Sequence, residues 1–475
     1  MTATVILFED HSWLGFRPLS AGQPTWEQRC GIFNTRERCE LAGATGALLG
    51  RGPALDLVTA PRWDRGPQAV AALPDAGGPV LWLNGRLAPS ATLVTGLLAL
   101  PADLPSFVWR DGDGVVAARM TRQAALGAAA DWAAWSAAPT GPWAGPGLGA
   151  TAITAVAGLE LACPADTAAV ARARLAAALE AAAADAAPAL RRAWDIVPAT
   201  SGAIRGDLEA ARSAGSWTRH PFGLCPAEGN AVPWAAPTRL ARAAPSDLPT
   251  GCWLQGDDLW LADAVTLAPG CVIDSRRGPV VLDHGVDVAP HTLLEGPLYL
   301  GPGCRVKAGA RIYGDSSFGI GNRLAGEIGE STFGDFSNKQ HEGFIGHAVL
   351  GAWVNLGAMT TCSDLKNNYG NVRVDLGGGS EDTGQRFVGL MAGDHVKTAI
   401  GTLFNTGTTV GFASNIFGAG MPPKYVPAFS WGGDPGAPAY GVGQAIATAT
   451  VVMGRRGCRF EPSHRAMFEV LAAGA

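Results

Sequence analysis

The residues best placed to do chemistry lie in one stretch of the chain. Ser337-Asn338-Lys339-Gln340-His341-Glu342 is its densest polar cluster, followed by Asn355 and then by Asp364-Leu365-Lys366-Asn367-Asn368-Tyr369-Gly370. His341 is the natural general base, because an imidazole titrates near neutral pH. The plain alternative is that His341 and Asn355 cap turns or hydrogen-bond along the coil. A second candidate string is Asp111-Gly112-Asp113-Gly114. Its two carboxylates suit Mg²⁺, although Asp-Gly strings more often mark turns.

The elements that must position the first cluster are legible from spacing. Leu282, Val288, Leu294, Leu300, Val306, Ile312 and Phe318 recur every six residues. Leu261, Leu267 and Ile273 make an earlier run, Leu350 and Leu356 continue it, and Phe404, Val410 and Ile416 make a later one. A period of six fits neither a helix nor a plain strand. It fits a parallel β-helix, with one short strand and one turn per hexad and three hexads per coil. A polar cluster is not needed for such a core, so it must face solvent or a neighbouring subunit.

Before the coils, residues 3–8, 79–83 and 107–110 read as buried strands. Helices are expected at about 120–135 and 166–187. This alternation predicts an open α/β domain over 1–215, with the loop Glu9–Ser20 at a strand's carboxyl end, where such folds bind ligands. A Pro- and Trp-rich linker and docking segment is expected over 216–255. The β-helix is assigned to 256–425, with a polar, Gly-rich insertion at 362–395. A tail over 426–475 is expected to hold two short helices, with Arg455 and Arg456 between them or at their ends.

Composition narrows the class. The chain has 475 residues, and the 64 Gly suit a turn-rich architecture. A net charge of −5 gives no support for a nucleic-acid or membrane-surface role. The N-terminal residues lack a signal pattern, and no stretch is read as spanning a bilayer. The expectation is a soluble cytoplasmic protein. The nine Cys are scattered without a Cys-x-x-Cys pair and read as free core thiols.

His341 to Thr360, HEGFIGHAVLGAWVNLGAMT, resembles the acetyltransferase half of the bifunctional N-acetylglucosamine-1-phosphate uridyltransferase/glucosamine-1-phosphate acetyltransferases. SNKQHEGFIGH, DLKNNYG, GDHVKT and FGAGMPPKYVPAFSWG, with ILFED, FRPLS, QRCGIFNTRE and LWLNGRL near the start, resemble a divergent branch of sugar nucleotidyltransferases of this type. The resemblance implies a Rossmann-like nucleotidyltransferase domain followed by a left-handed β-helix of hexapeptide repeats, assembled as a homotrimer. It implies acyl transfer from acetyl-CoA to an amino sugar phosphate or sugar nucleotide. His341 matches the catalytic base, and Asn355 a sugar-phosphate contact. Ala358 matches the position whose backbone N–H faces the thioester oxygen. Asn368 and Tyr369 match further acceptor contacts, and Arg373 lies near a phosphate-binding lysine; Lys339, beside His341 in the first polar cluster, is a further candidate for substrate binding. Thr402 and Ala419 fall near the CoA groove. Arg17 matches the end of the nucleotide loop, with Asp111 and Asp113 as candidates for Mg²⁺.

The departures are specific. Phe344 replaces an acceptor-site tyrosine, and Gly329-Glu330 replaces a basic pair. The loop EDHSWLGFRPLS has one Gly, and Arg86 stands where a metal-binding Asp is usual. Two other readings remain open. One is a zinc hydro-lyase using His341, His347 and His395. The other is a non-catalytic sugar-nucleotide-binding scaffold.

Overall fold

The structure is a computed structural model. It describes residues 4–73, 78–101, 103–112, 114–137, 143, 152–155, 159–162, 173–174, 189–434, 436 and 438–474. The chain divides into two compact units. One comprises residues 1–14, 24–27 and 33–191; the other comprises 15–23, 28–32 and 192–475.

The first unit is built on a mixed sheet of β1 (Thr4–Phe8), β2 (Thr45–Leu49), β3 (Trp63–Arg65), β4 (Val80–Asn84), β5 (Ser106–Asp111), β6 (Gly114–Met120), β7 (Ala152–Ala155) and β8 (Leu159–Ala162). The spatial order is β3-β2-β1-β4-β6-β5-β8-β7. The first four strands are parallel, and β6 turns the sheet antiparallel. The three expected strands correspond to β1, β4 and β5, and the first expected helix is Arg122–Ala137. The helix expected over 166–187 lies outside the described residues, except for Ala173 and Arg174, which are helical. Continuous apolar runs such as VILF in β1 and VLWL in β4 are what a strand covered on both faces requires. Val5 to Phe8, Trp82 and Leu83 have no solvent exposure.

The order of the parallel strands has a consequence. The chain runs outward from β1 to β2 and β3, then returns to the other side of β1 as β4. The sheet therefore has its topological switch point between β1 and β4, and a crevice opens at their carboxyl ends.

The second unit is a parallel β-helix. On one face Leu261, Leu282, Leu300, Phe318, Phe333, Leu350, Ala392, Val410 and Val426 lie in register on successive coils. A second face stacks Ile273, Leu294, Ile312, Ile328 and Ile345. A third stacks Leu267, Val288, Val306, Leu324 and Lys339. The seven hexad positions from Leu282 to Phe318 are all at most 2% exposed. Full burial of each such side chain contributes roughly 1.5–3 kcal/mol. The strict period runs one step further, to the buried Leu324, and ends there because the next coils are shorter: Phe318 pairs with Phe333, fifteen positions on rather than eighteen.

Residues 217–243 pack along the coils, and their last three cover one end. Ala241–Ala243 pairs antiparallel with Leu259–Leu261 and covers that sheet edge. A buried network anchors the segment. The Tyr299 hydroxyl donates to Asp283 Oδ2 at 2.7 Å, Thr238 Oγ1 donates to Asp283 Oδ1 at 2.9 Å, and Arg219 Nη2 donates to the Tyr299 hydroxyl at 2.5 Å. In the insertion, Arg373–Asp375 and Ser380–Asp382 form an antiparallel hairpin. The tail forms helices Val442–Gly454 and Pro462–Ala473. They dock on an aromatic corner where Phe336 and Trp353 stack with centroids 4.6 Å apart, and where Phe468 meets His395, Phe412 and Phe429. Among the described residues, eight cysteines are free thiols.

One buried carboxyl sets a pH dependence. Asp394 accepts from the Ala352 N–H at 2.7 Å and from Gln23 Nε2 at 3.2 Å. Burial pushes its pKa up to about 7. An unfolded Asp titrates near ~3.9, so folding favours the protonated form. The penalty is absent below pH ~4, grows as pH rises, and is complete above the folded pKa, reaching about 4 kcal/mol. Asp394→Asn is therefore expected to raise the melting temperature at pH 8 and to leave it unchanged near pH 4. A variant that melts lower than wild type at pH 8 would contradict this.

Candidate active sites

In the first unit, the crevice between β1 and β4 gathers charged side chains. Glu9 and Asp10 follow β1 and are buried. Asp10 Oδ1 accepts from Ser12, whereas its Oδ2 is buried without a partner among the described residues. After β4, Asn84 turns the chain: its Nδ2 donates to the Val115 carbonyl at 2.8 Å and its Oδ1 accepts from the Arg86 N–H. Arg86 then reaches Asp111, with Nη1 at 3.1 Å from Oδ2. Arg191 spans the same carboxylate through Nε at 2.9 Å and Nη2 at 2.5 Å. The Arg191 hydrogen bonds, and then Arg86, hold the Asp111 carboxyl below its usual range against the effect of burial.

Two guanidinium groups thus sit over Asp111, where a divalent cation would need carboxylates. The described side chains do not fit Mg²⁺ there. Asp113 lies outside the described residues. Arg17 is exposed and falls in the segment 15–23, which belongs to the β-helical unit. The loop following β1 therefore differs from the expected phosphate loop: it forms short 3₁₀ turns at His11–Phe16 and Leu19–Ala21.

Gly114 is required by this arrangement. A Cβ there would lie 2.6 Å from Arg86 Nη2. Gly114→Ala is expected to push Arg86 off Asp111 and to cost about 1–3 kcal/mol of stability. Urea denaturation checks this, and an unchanged midpoint would contradict it.

In the second unit, His341 occupies the corner between the strands Asn338–Lys339 and Phe344–Gly346. It is exposed, and its imidazole has no hydrogen-bond partner among the described residues. Lys339 is only 2% exposed and takes an inward position, paired with Leu324. Its Nζ donates to the carbonyls of Ala325 at 3.0 Å and His341 at 2.7 Å. Burial lowers its pKa to about 8. An aliphatic residue at this inward site could not make those bonds, so Lys339 fixes the corner that presents His341. Beside it, Arg311 Nη2 lies 3.6 Å from Glu327 and 3.7 Å from Glu342.

Asn355 lies one coil on from Asn338, with its Oδ1 3.4 Å from Asn338 Nδ2. Ala358 sits in the turn between Gly357, whose N–H donates to Thr398, and Met359, whose N–H donates to the Glu342 carbonyl. Thr402 is largely buried and donates to the Ala399 carbonyl, while Ala419 is exposed. Asn368 and Tyr369 are exposed on the insertion, and Tyr369 has φ +56°. The Arg373 guanidinium is tied to Ser380 across its hairpin.

The histidines of the zinc reading have separate employments. His395 is buried between Trp353 and Phe468, and burial holds it neutral, well below its usual range. His347 Nδ1 lies 2.8 Å from Asp364 Oδ2, and its ring stacks on Phe387. Among the described residues no three His, Cys, Asp or Glu side chains converge to hold a metal.

The His347–Asp364 pair was not foreseen as a base. A carboxylate on one imidazole nitrogen fixes the tautomer and leaves the other nitrogen available. His347 also lines a cavity of about 350 Å³ with Ser201, Glu330 and Arg386. The only signal in the sequence was the pairing of His347 with Asp364 one coil further on.

Comparison with known proteins bears on both units. Residues 5–214 match the family model described as sugar nucleotidyl transferase. The bifunctional protein GlmU of Burkholderia mallei (strain SAVP1) is 32% identical over 170 residues, covering 34% of this chain and 35% of the relative. GlmU of Paraburkholderia xenovorans (strain LB400) is 34% identical over 122 residues, covering 24% and 25%. The chain spans about a third of the length of the curated relatives it matches. A solved structure of AntD, an N-acyltransferase from Bacillus cereus in complex with dTDP and 3-hydroxybutyryl-CoA, covers 42% of this chain and 90% of its own. At 11% identity and a TM-score of 0.17, that likeness is too low to establish a shared fold. No helix among the described residues is long and apolar enough to cross a membrane. A match to the sugar nucleotidyl transferase family model therefore covers the N-terminal region, residues 5–214.

Proposed function

We propose that the β-helical unit transfers an acyl group from acetyl-CoA to an amino sugar phosphate or a sugar nucleotide, with His341 as general base. His341 takes a proton from the acceptor amine as nitrogen attacks the thioester carbonyl. The new C–N bond forms, the C–S bond breaks, and the thiolate leaves and is protonated. The backbone N–H of Ala358 faces the oxygen on which charge develops. Asn355, Asn368, Tyr369 and Arg373 hold the acceptor, and Thr402 and Ala419 border the coenzyme. A homotrimer completes each site between subunits.

The observation that carries this reading is the corner of His341. It is an exposed imidazole whose own carbonyl is anchored by a buried lysine. Such anchoring is how a scaffold fixes a reacting group without occupying it. The family match over residues 5–214 and the GlmU likeness support a sugar-linked acceptor. The first unit then binds the sugar nucleotide, with Arg86 and Arg191 over Asp111.

A second reading places the base at His347, favoured by its 2.8 Å contact with Asp364. The test is acceptor-dependent thiol release from acetyl-CoA across a panel of amino-sugar phosphates and nucleotide-linked amino sugars. Release with at least one acceptor is expected; none with any of them would sink the proposal.

A further inference from the structure

The outward side chains on one face of the β-helix form a single file. Arg305 pairs in register with Arg323, Arg323 with Asn338, Asn338 with Asn355, and Asn355 with Lys397. The turn after helix Val442–Gly454 brings Arg455 and Arg456 onto this file. A cavity of about 500 Å³ opens between them, lined by Arg323, Lys397, Arg455 and Arg456.

Among the described residues no carboxylate lines this cavity. None of the four cations forms an ion pair among the described residues. Their crowding has a visible effect. Burial, then Arg456 and Arg305, lowers the Arg323 pKa to about 10. Burial and then Arg455 lower that of Arg456. Like charges gathered in a half-buried cavity repel one another, and an anion relieves that repulsion.

The cations are also held in place. Arg456 Nη2 donates to Asn338 Oδ1 at 2.6 Å, Arg323 Nη1 to the Gly303 carbonyl at 3.0 Å, and Lys397 Nζ to the His395 carbonyl at 2.9 Å. Each tether uses a neutral oxygen, so the charges stay uncompensated. Guanidinium groups fixed this way suit phosphoryl oxygens, which they bind through two N–H donors at once. Trp353 and Val452 give the cavity an apolar wall, and Asn355 and Gln340 add neutral polar groups. The volume exceeds what a lone phosphate fills and lies within the range of small-molecule sites, about 300–1,000 Å³.

We infer that this cavity binds the pyrophosphate group of a nucleotide-bearing ligand, the organic part resting against the apolar wall formed by Val452 and the edge of Trp353. The inference goes beyond the acyl-transfer reading and does not depend on turnover. Two sources share this chemistry: the coenzyme and a nucleotide-linked sugar.

Isothermal titration calorimetry on the full chain separates them. Inorganic pyrophosphate, UDP and CoA are titrated at low and high salt, with N-acetylglucosamine as the uncharged control. Pyrophosphate is expected to bind, more weakly at high salt, and the control not to bind. Tighter binding of UDP names the sugar nucleotide as the source, and tighter binding of CoA names the coenzyme. Arg323→Gln and the exposed Arg455→Gln are each expected to weaken binding by about tenfold or more, as loss of a charged hydrogen bond does. Their unliganded melting temperatures should match wild type. Pyrophosphate that does not bind would overturn the inference. So would binding that both variants keep at wild-type affinity, because the ligand would then sit elsewhere in the chain. Either result leaves the acyl-transfer reading standing.

Discussion

Replacing His341 by alanine is expected to lower kcat for acyl transfer by roughly 10²–10⁴-fold, the usual worth of a positioned general base. The KM for acetyl-CoA should change little, because no contact to the coenzyme is assigned to the imidazole. His341 is exposed at a corner whose backbone is held from within by Lys339. Its removal should therefore leave the fold intact, and an unchanged melting temperature is the control. His347→Ala separates the two readings. If His341 is the base, His347→Ala keeps most of the activity. If the His347–Asp364 pair is the base, the losses are exchanged between the two variants. Steady-state kinetics on both proteins decides the matter.

Arg36→Met is expected to destabilise the first unit by about 3–5 kcal/mol, the largest effect foreseen on stability. Arg36 is fully buried and bonds Glu27 through Nε at 2.5 Å and Nη2 at 3.0 Å, with Glu40 2.5 Å from Nη1. Asn34 Nδ2 donates to the same Glu27 carboxylate at 2.8 Å, and Trp63 Nε1 donates to Glu40 at 3.0 Å. Burial already raises the Glu27 pKa despite the arginine beside it. Without Arg36 a buried carboxylate has no countercharge and must protonate or draw in water. Chemical denaturation at pH 7 measures the loss, and a change below about 1 kcal/mol would contradict this role for the network. The double variant Arg36→Met/Glu27→Leu should recover only part of the loss, because it removes the Glu27 charge but leaves Glu40 without Arg36.

The β-helix was legible because its period is set by covalent geometry. Each coil returns an inward side chain to the same face, and from Leu282 to Phe318 nothing interrupts the count. The limits of that legibility are also physical. After Phe318 the coils shorten, so Phe333 and Leu350 keep their face but lose the spacing. Of the cations lining the cavity, Arg323 and Lys397 were missed for a related reason. Arg305 and Arg323 are eighteen apart, as are Lys397 and Asn415, but the insertion separates Asn355 from Lys397 by forty-two positions. Spacing alone cannot align one half of the file with the other. Lys339 looked like a surface ligand because lysines seldom point into a core. Only the register with Leu324 reveals that it faces inward.

In the first unit β1, β4 and β5 were readable as apolar runs, whereas the other strands and the order that makes the crevice were not. The charges in it were not readable. Arg86 is adjacent to a strand end, but its partners Asp111 and Arg191 come from distant parts of the chain. No local pattern marks a contact that sequence separation hides.

The most direct test of acyl transfer is the mass of the acceptor after incubation with acetyl-CoA, wild type beside His341→Ala. Wild type is predicted to convert an amino-sugar phosphate or nucleotide-linked amino sugar into its N-acetyl derivative, and His341→Ala to leave it almost unchanged. An acceptor of unaltered mass in the wild-type reaction, or equal acetylation by both proteins, would contradict the account.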